Sequence, residues 1–305
     1  MKKSLAFVLG GGGSRGAMQV GALRALLEAG FKPDLLVGTS IGAVNAVGLA
    51  LWGMNMSGVE RLERAYENLT ASRLMDPRLA QFILDTLSRR PNRRTSRAVE
   101  QFLIAEGITT DLCFGHPPVR LGLVSSDLES GEVVIYGRDP EQSILEGLMA
   151  SLALPLWFAP VEKDGRTLID GGALSNLPIE SALALGATEI IALDLNDRGV
   201  LAGDGNGYGS SLEKFLFAIT RRQVYLEMEL ASARHVPLRY VNLKSSPSIP
   251  IWDFRTHQDL FKTGYETMQE NISSWSRDQG QNWFLRMLPR GIKLPRLAAG
   301  IFAKK

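Results

Sequence analysis

The sequence predicts an α/β fold of three layers, α/β/α, around a mainly parallel central sheet, and three observations carry that expectation. Short apolar runs of strand length stand at residues 5–9, 35–37, 167–169 and 190–195. Segments whose apolar residues recur at helical spacing lie between them. Glycine marks the junctions between the two kinds of segment. Strands that alternate with helices pair in parallel and are covered by those helices.

Taken in order, residues 5–9 are bounded by lysine and serine before and by glycine after, which reads as a buried first strand. The apolar residues of 17–27 recur at helical spacing and stop at Gly30. The pattern then repeats, with a strand at 35–37, a turn at 38–42 and a helix at 43–51 that is apolar on nearly all faces. Residues 58–106 read as helical and polar, interrupted by a solvated loop that carries Arg89, Arg90, Arg93, Arg94 and Arg97 around Pro91. Residues 119–125 and 132–136 read as strands joined by a turn at Ser130 and Gly131, and 143–152 again reads as a helix. Strands at 167–169 and 190–195 follow, with a helix at 180–185 between them. This assigns residues 4–197 to one catalytic α/β domain and 198–305 to a C-terminal extension. The extension opens on a glycine-rich stretch with the composition of a flexible loop. A long helix at 211–233 and a strand at 238–243 then return the chain to the same sheet.

Bulk properties exclude some functions. The 34 basic and 32 acidic residues leave a net charge of +2, too even a balance to point to nucleic acid. A single cysteine, Cys113, rules out an intrachain disulfide and a cysteine-cluster metal site. The longest apolar stretch, residues 41–56, is broken by glycine and asparagine and falls short of the roughly 20 residues that a membrane span needs. A cytoplasmic protein is the expectation.

Three glycine-rich turns share the edge at which the predicted strands end. The pentapeptide Gly38-Thr39-Ser40-Ile41-Gly42 lies between a strand and an apolar helix, the context of a nucleophile elbow, in which Gly38 and Gly42 allow the tight turn that presents Ser40. The alternative is an ordinary serine N-cap. The loop Gly10-Gly11-Gly12-Gly13-Ser14-Arg15-Gly16 offers unpaired amides at a helix start. Read as G-x-G-x-x-G, it matches a dinucleotide fingerprint, but no acid stands at the end of the second strand to hold a ribose. Read as an oxyanion hole, it makes use of Ser40 as well. Asp170, followed by Gly171 and Gly172, ends the strand 167–169. His116, His235 and His257 have no motif around them, and on residue chemistry alone a Ser-Asp dyad and a Ser-His-Asp triad both stay open.

The three turns, in this order, resemble the signature elements of the patatin-like phospholipases. The flanks Ala150-Ser151-Leu152-Ala153-Leu154-Pro155, Phe158-Ala159-Pro160-Val161 and Asn176-Leu177-Pro178 resemble that family too. The resemblance runs over about residues 5–197. It implies a patatin-like fold and a catalytic dyad of Ser40 and Asp170, with no histidine in catalysis. It also implies an oxyanion hole in the glycine-rich loop, with Gly11, Gly12 and Gly13 supplying amides beside Ser14 and with Arg15 where the family often carries a base. The expected reaction is hydrolysis of lipid carboxylic esters through an acyl-enzyme, with no cofactor and no metal. An acyltransferase using the same dyad is the nearest rival, and a nucleotide-binding regulatory protein is the rival from another class.

After Asp278 no acidic residue remains, and six cations alternate with apolar residues to the end at Lys305. Two uses fit residues 279–305: peripheral contact with an anionic membrane, or packing on the core with the cations in water.

Overall fold

The computed structural model describes residues 3–74, 93–155, 157–196 and 208–277. Strand β1 (Leu5–Leu9) has Phe7 and Leu9 on one face and Ala6 and Val8 on the other, and each face opens into a separate apolar cluster. A strand buried on both faces needs helices on both sides, which is what its apolar run requires. Helices α1 (Gly16–Glu28), α2 (Ile41–Trp52) and α3 (Met56–Ser72) build the first cluster.

Strands β2 (Leu35–Thr39), β3 (Arg120–Asp127), β7 (Glu189–Asp194) and β8 (Leu238–Asn242) join β1 in parallel. Three antiparallel strands complete an eight-stranded sheet among the described residues: β4 (Val133–Tyr136), β5 (Val161–Lys163) and β6 (Arg166–Asp170). Helices α4 (Arg93–Ala105) and α5 (Ile144–Ser151) precede β3 and follow β4. The second apolar cluster includes α6 (Ile179–Ala184) and the long α7 (Tyr208–Ala233).

Register around β3 places the site. Residues 123 and 124 pair with both β2 and β4, and residues 125 and 126 pair with both β4 and β6. Each residue has only two edges, so β2 and β6 must lie on the same edge of β3, end to end. Strand β2 arrives in parallel and stops with Thr39 opposite Val124. Strand β6 arrives antiparallel and stops with Asp170 opposite Ser125. The residue after Thr39 and the last residue of β6 therefore meet.

Beyond residue 197 the chain returns to the sheet through β8 and then supplies α8 (His257–Arg277), which lies along α1. The crossing is glycine on glycine. A Cβ on Gly21 would strike the Phe261 carbonyl oxygen, and one on Gly264 would strike that of Met18.

One expectation is corrected. Arg93, Arg94 and Arg97 stand in the first turns of α4 rather than in a loop, because Val99 and Leu103, four apart, bury one face of that helix and draw the segment into regular structure. Arg89 and Arg90, the glycine-rich stretch up to Gly207 and the basic apolar segment 279–305 lie outside the described residues. No helix among the described residues is long and apolar enough to cross a membrane.

Candidate active site

Ser40 stands between β2 and α2 with φ 54° and ψ −124°. A positive φ at a residue with a Cβ is strained, and such strain persists only where the surroundings impose it. Here close backbone contact imposes it. Side chains at Gly38 and Gly42 would strike the carbonyl oxygens of Gly42 and Leu9, so the turn can be this tight only with glycine at both positions. Although Ser40 precedes the first turn of α2, its hydroxyl makes no capping hydrogen bond. Its side chain stands beside the Asp170 carboxylate instead, where it favours the ionised form of that group. The Ser40 amide donates to the buried Ser151 hydroxyl at 2.9 Å, which pins the elbow from α5.

Asp170 is 4% exposed. Its Oδ1 accepts the Gly172 amide at 2.7 Å, so the 3-10 turn Gly171–Ala173 wraps back on the carboxylate. Burial pushes the carboxyl up to about 6, against the opposing pull of the Ser40 hydroxyl and the Gly172 amide. A carboxylate raised in this way accepts a proton more readily near neutrality than an ordinary aspartate.

The glycine-rich loop crosses the same edge. A Cβ on Gly11 would lie 3.3 Å from that of Ser40. The loop differs from the expectation at two of its amides. Gly11 donates to the Asn176 carbonyl at 2.9 Å and Ser14 to that of Ile251 at 2.7 Å, because the loop is stitched to the segments beneath and behind it. The Ser14 hydroxyl is also spent, on the Pro250 carbonyl at 2.8 Å. The amides of Gly12 and Gly13 make no such bond among the described residues. Two side chains fix their peptide planes from the opposite side. Asn176 Nδ2 donates to the Gly11 carbonyl at 3.3 Å and Arg15 Nε to the Gly12 carbonyl at 3.2 Å. In a planar trans peptide the N–H points opposite to the C=O, so each contact aims the following amide away from its anchor. The Arg15 charge also faces buried Asp194 at the end of β7.

Behind the loop runs a buried polar chain that the sequence reading did not single out. Tyr66 donates to Asn45 at 3.1 Å, Asn45 to Gln19 at 2.9 Å and to the Gly16 carbonyl at 3.0 Å, and Gln19 to the Gly10 carbonyl at 2.8 Å. Gln19 and Asn45 are polar residues on otherwise apolar helices, which is the signal that could have found them. The histidines are held elsewhere. The His116 ring accepts the Cys113 amide, His235 follows the end of α7 with φ 55°, and His257 is buried against the Phe254 carbonyl. Among the described residues no group of three or more histidines, cysteines and acids is arranged to hold a metal.

The family model described as patatin-like phospholipase matches residues 7–183, which contain all three turns. The human patatin-like phospholipase domain-containing protein 6 is 31% identical over 297 residues, covering 90% of this chain and 20% of that protein. Its mouse counterpart is 27% identical over 299 residues, covering 90% of this chain and 21% of that protein. An uncharacterized NTE family protein of Mycobacterium tuberculosis is 31% identical over 193 residues, covering 63% of this chain and 30% of that protein. The chain thus spans about a fifth to a third of the length of these relatives. The VipD structure from Legionella pneumophila superposes with a TM-score of 0.49 at 17% identity, covering 90% of this chain and 67% of that one.

Proposed function

The chain belongs to the patatin-like phospholipase family, and on that premise we propose that it is a serine acyl hydrolase of lipid carboxylic esters, with Ser40 as nucleophile and Asp170 as base. The observation that carries this reading is the strained Ser40, whose side chain makes no cap on its own helix and stands beside a buried carboxylate. A serine held there only as a cap would have no reason to adopt φ 54°.

Ser40 Oγ attacks the ester carbonyl carbon as Asp170 takes the hydroxyl proton. The amides of Gly12 and Gly13 hold the developing oxyanion, and a donor of this kind is worth about 3 to 4 kcal/mol. The positive end of the α2 dipole, at Ser40, favours the same charge. The tetrahedral intermediate collapses, the C–O bond breaks, and Asp170 returns the proton to the leaving alcohol or lyso-lipid. Water then attacks the acyl-enzyme while Asp170 takes its proton. The second collapse releases the fatty acid and restores the Ser40 hydroxyl. Because the active form of Asp170 is the carboxylate, turnover falls as pH drops through about 6.

The test is labelling with a fluorophosphonate followed by peptide mass spectrometry, alongside product analysis on phospholipid vesicles with and without an alcohol acceptor. Label on Ser40, with free fatty acid as the main product, supports the reading. Label on another serine, or ester hydrolysis that survives in Ser40→Ala, refutes the nucleophile. Acyl transfer to the alcohol as the dominant product replaces hydrolysis with transfer.

A further inference from the structure

Helix α7, outside the residues that the family model matches, carries a buried carboxylate that the acyl-transfer steps do not use. Glu227 is 6% exposed, although glutamates on helices ordinarily face water. One of its oxygens accepts the Ser175 hydroxyl at 2.6 Å. The other accepts the Glu180 amide at 2.9 Å, while the neighbouring Ile179 amide donates to the Leu177 carbonyl at 2.7 Å. The Glu180 amide lies in the first turn of α6, which offers it no acceptor, so a side chain from another helix satisfies it. One turn earlier on α7, Gln223 donates to the Ala173 carbonyl at 2.6 Å. Two side chains of α7 therefore grip the segment that follows Asp170.

The gripped residue is a junction. The Ser175 amide donates to the Gly171 carbonyl at 2.8 Å, which closes the turn after Asp170. Its carbonyl accepts the Thr39 hydroxyl at 2.9 Å, one residue before Ser40. The next residue, Asn176, bonds Gly11 in both directions through its carbonyl and its side-chain amide. Residues 175 and 176 thus touch the aspartate turn, the serine elbow and the glycine-rich loop. All three are backbone segments that must stay in register for acyl transfer.

We infer that Glu227 is a positioning residue for the acyl-transfer site: by holding Ser175 and the head of α6 it fixes the junction at which the three loops meet. This rests on the reading of Ser40 and Asp170 above. A carboxylate is a costly choice for a purely structural bond. Burial pushes Glu227 up to about 7, and the charge of Glu180 on α6 pushes it the same way. Protonation of Glu227 leaves one acceptor oxygen and adds one donor, so it weakens the grip only modestly, by no more than the roughly fivefold allowed for glutamine at the same position.

The experiment compares wild type, Glu227→Ala, Glu227→Gln and, as a control on the same helix, Glu229→Gln. The substrate is a short p-nitrophenyl ester, and hydrogen exchange of the segment 171–178 is followed in parallel. A displacement near 1 Å can cost about 100-fold, so Glu227→Ala is expected to lose about 10- to 100-fold in kcat with KM nearly unchanged. Glutamine can accept the Glu180 amide and donate to the Ser175 hydroxyl oxygen, so Glu227→Gln restores kcat to within about fivefold of wild type. It also removes from the pH profile the step near 7 that belongs to Glu227 and leaves the step near 6 that belongs to Asp170. Glu229→Gln behaves as wild type. The inference is overturned if folded Glu227→Ala keeps kcat within about threefold of wild type, or if Glu227→Gln is as slow as the alanine variant or retains the step near 7. If Glu227→Ala does not fold, the pH profile of Glu227→Gln decides. Wild-type protein with no esterase activity refutes the hydrolase reading instead. The positioning claim is then judged by exchange alone, and it fails if residues 171–178 exchange no faster in Glu227→Ala.

Discussion

Replacing Asp170 with asparagine is expected to lower turnover and raise stability together, with the gain in stability appearing only above a definite pH. Burial moves the carboxyl from 3.8 to about 6, a shift of roughly two units, and at 1.36 kcal/mol per unit ionising it in the fold costs about 3 kcal/mol more than in the unfolded chain. The sign follows from proton counts. Between the two values the native state binds more protons than the unfolded state, so stability falls as pH rises through this window, and the full penalty stands above about 6. Asparagine carries no charge at any pH, yet its oxygen can still accept the Gly172 amide and its nitrogen can reach the Ser40 hydroxyl. Urea unfolding near pH 8 should therefore show Asp170→Asn more stable than wild type by up to about 3 kcal/mol, with the difference shrinking towards zero near pH 4. Glu227 has a pH dependence of the same sign, but it is present in both proteins and cancels in the comparison. Turnover of the variant should fall by about 10² to 10⁴-fold, the range for loss of a general base. Equal or lower stability of the variant at pH 8, with turnover retained, would show that Asp170 is a satisfied structural cap and would refute the argument.

Three further outcomes are expected. Alanine at each of His116, His235 and His257 leaves turnover of a short ester within about tenfold of wild type, and a histidine variant as inactive as Ser40→Ala would restore the triad. Gly264→Ala, whose Cβ would meet the Met18 backbone, forces α8 off α1 and costs about 1 to 3 kcal/mol or more by chemical denaturation, whereas an unchanged midpoint would mean that the crossing is looser than described. Gly42→Ala, whose Cβ would meet the Leu9 carbonyl, abolishes fluorophosphonate labelling of Ser40 while the far-ultraviolet spectrum persists, and normal labelling would show that the elbow tolerates a side chain.

Much of this site was legible in the sequence because its signals are local. The turns around Ser40, Asp170 and the glycine-rich loop are each punctuated by glycine where a strand ends, and strand ends are marked by short range chemistry. Which amides of that loop are left unpaired was not legible, since Gly11 and Ser14 are consumed by the carbonyls of Asn176 and Ile251, and a carbonyl has no signature in sequence. Pro250 and Ile251 accept from Ser14 through their backbone carbonyls and stand far from it along the chain. Glu227 reads as a surface acid on a helix, and its burial follows from how α7 docks on the residues after Asp170. Helix α8 did leave a trace, with Leu260, Phe261, Tyr265, Met268 and Ile272 at helical spacing around Gly264. The spacing identifies the helix but not its partner, which the steric fit at Gly21 selects.

The arrangement along β3 makes that strand the ruler of the site. Thr39 is measured against Val124 and Asp170 against Ser125, so the separation of Ser40 and the Asp170 carboxylate is set by consecutive rungs of a single strand rather than by two independent loops. Lengthening the loops before β2 or β6 leaves that spacing untouched as long as the pairing holds. A single residue inserted into β3 between the rungs does not. It would draw the strand ends apart by about 3.3 Å and turn Asp170 to the opposite face of the sheet, out of reach of Ser40. Tolerance to insertion should therefore be high in the surrounding loops and nil across this one step of β3.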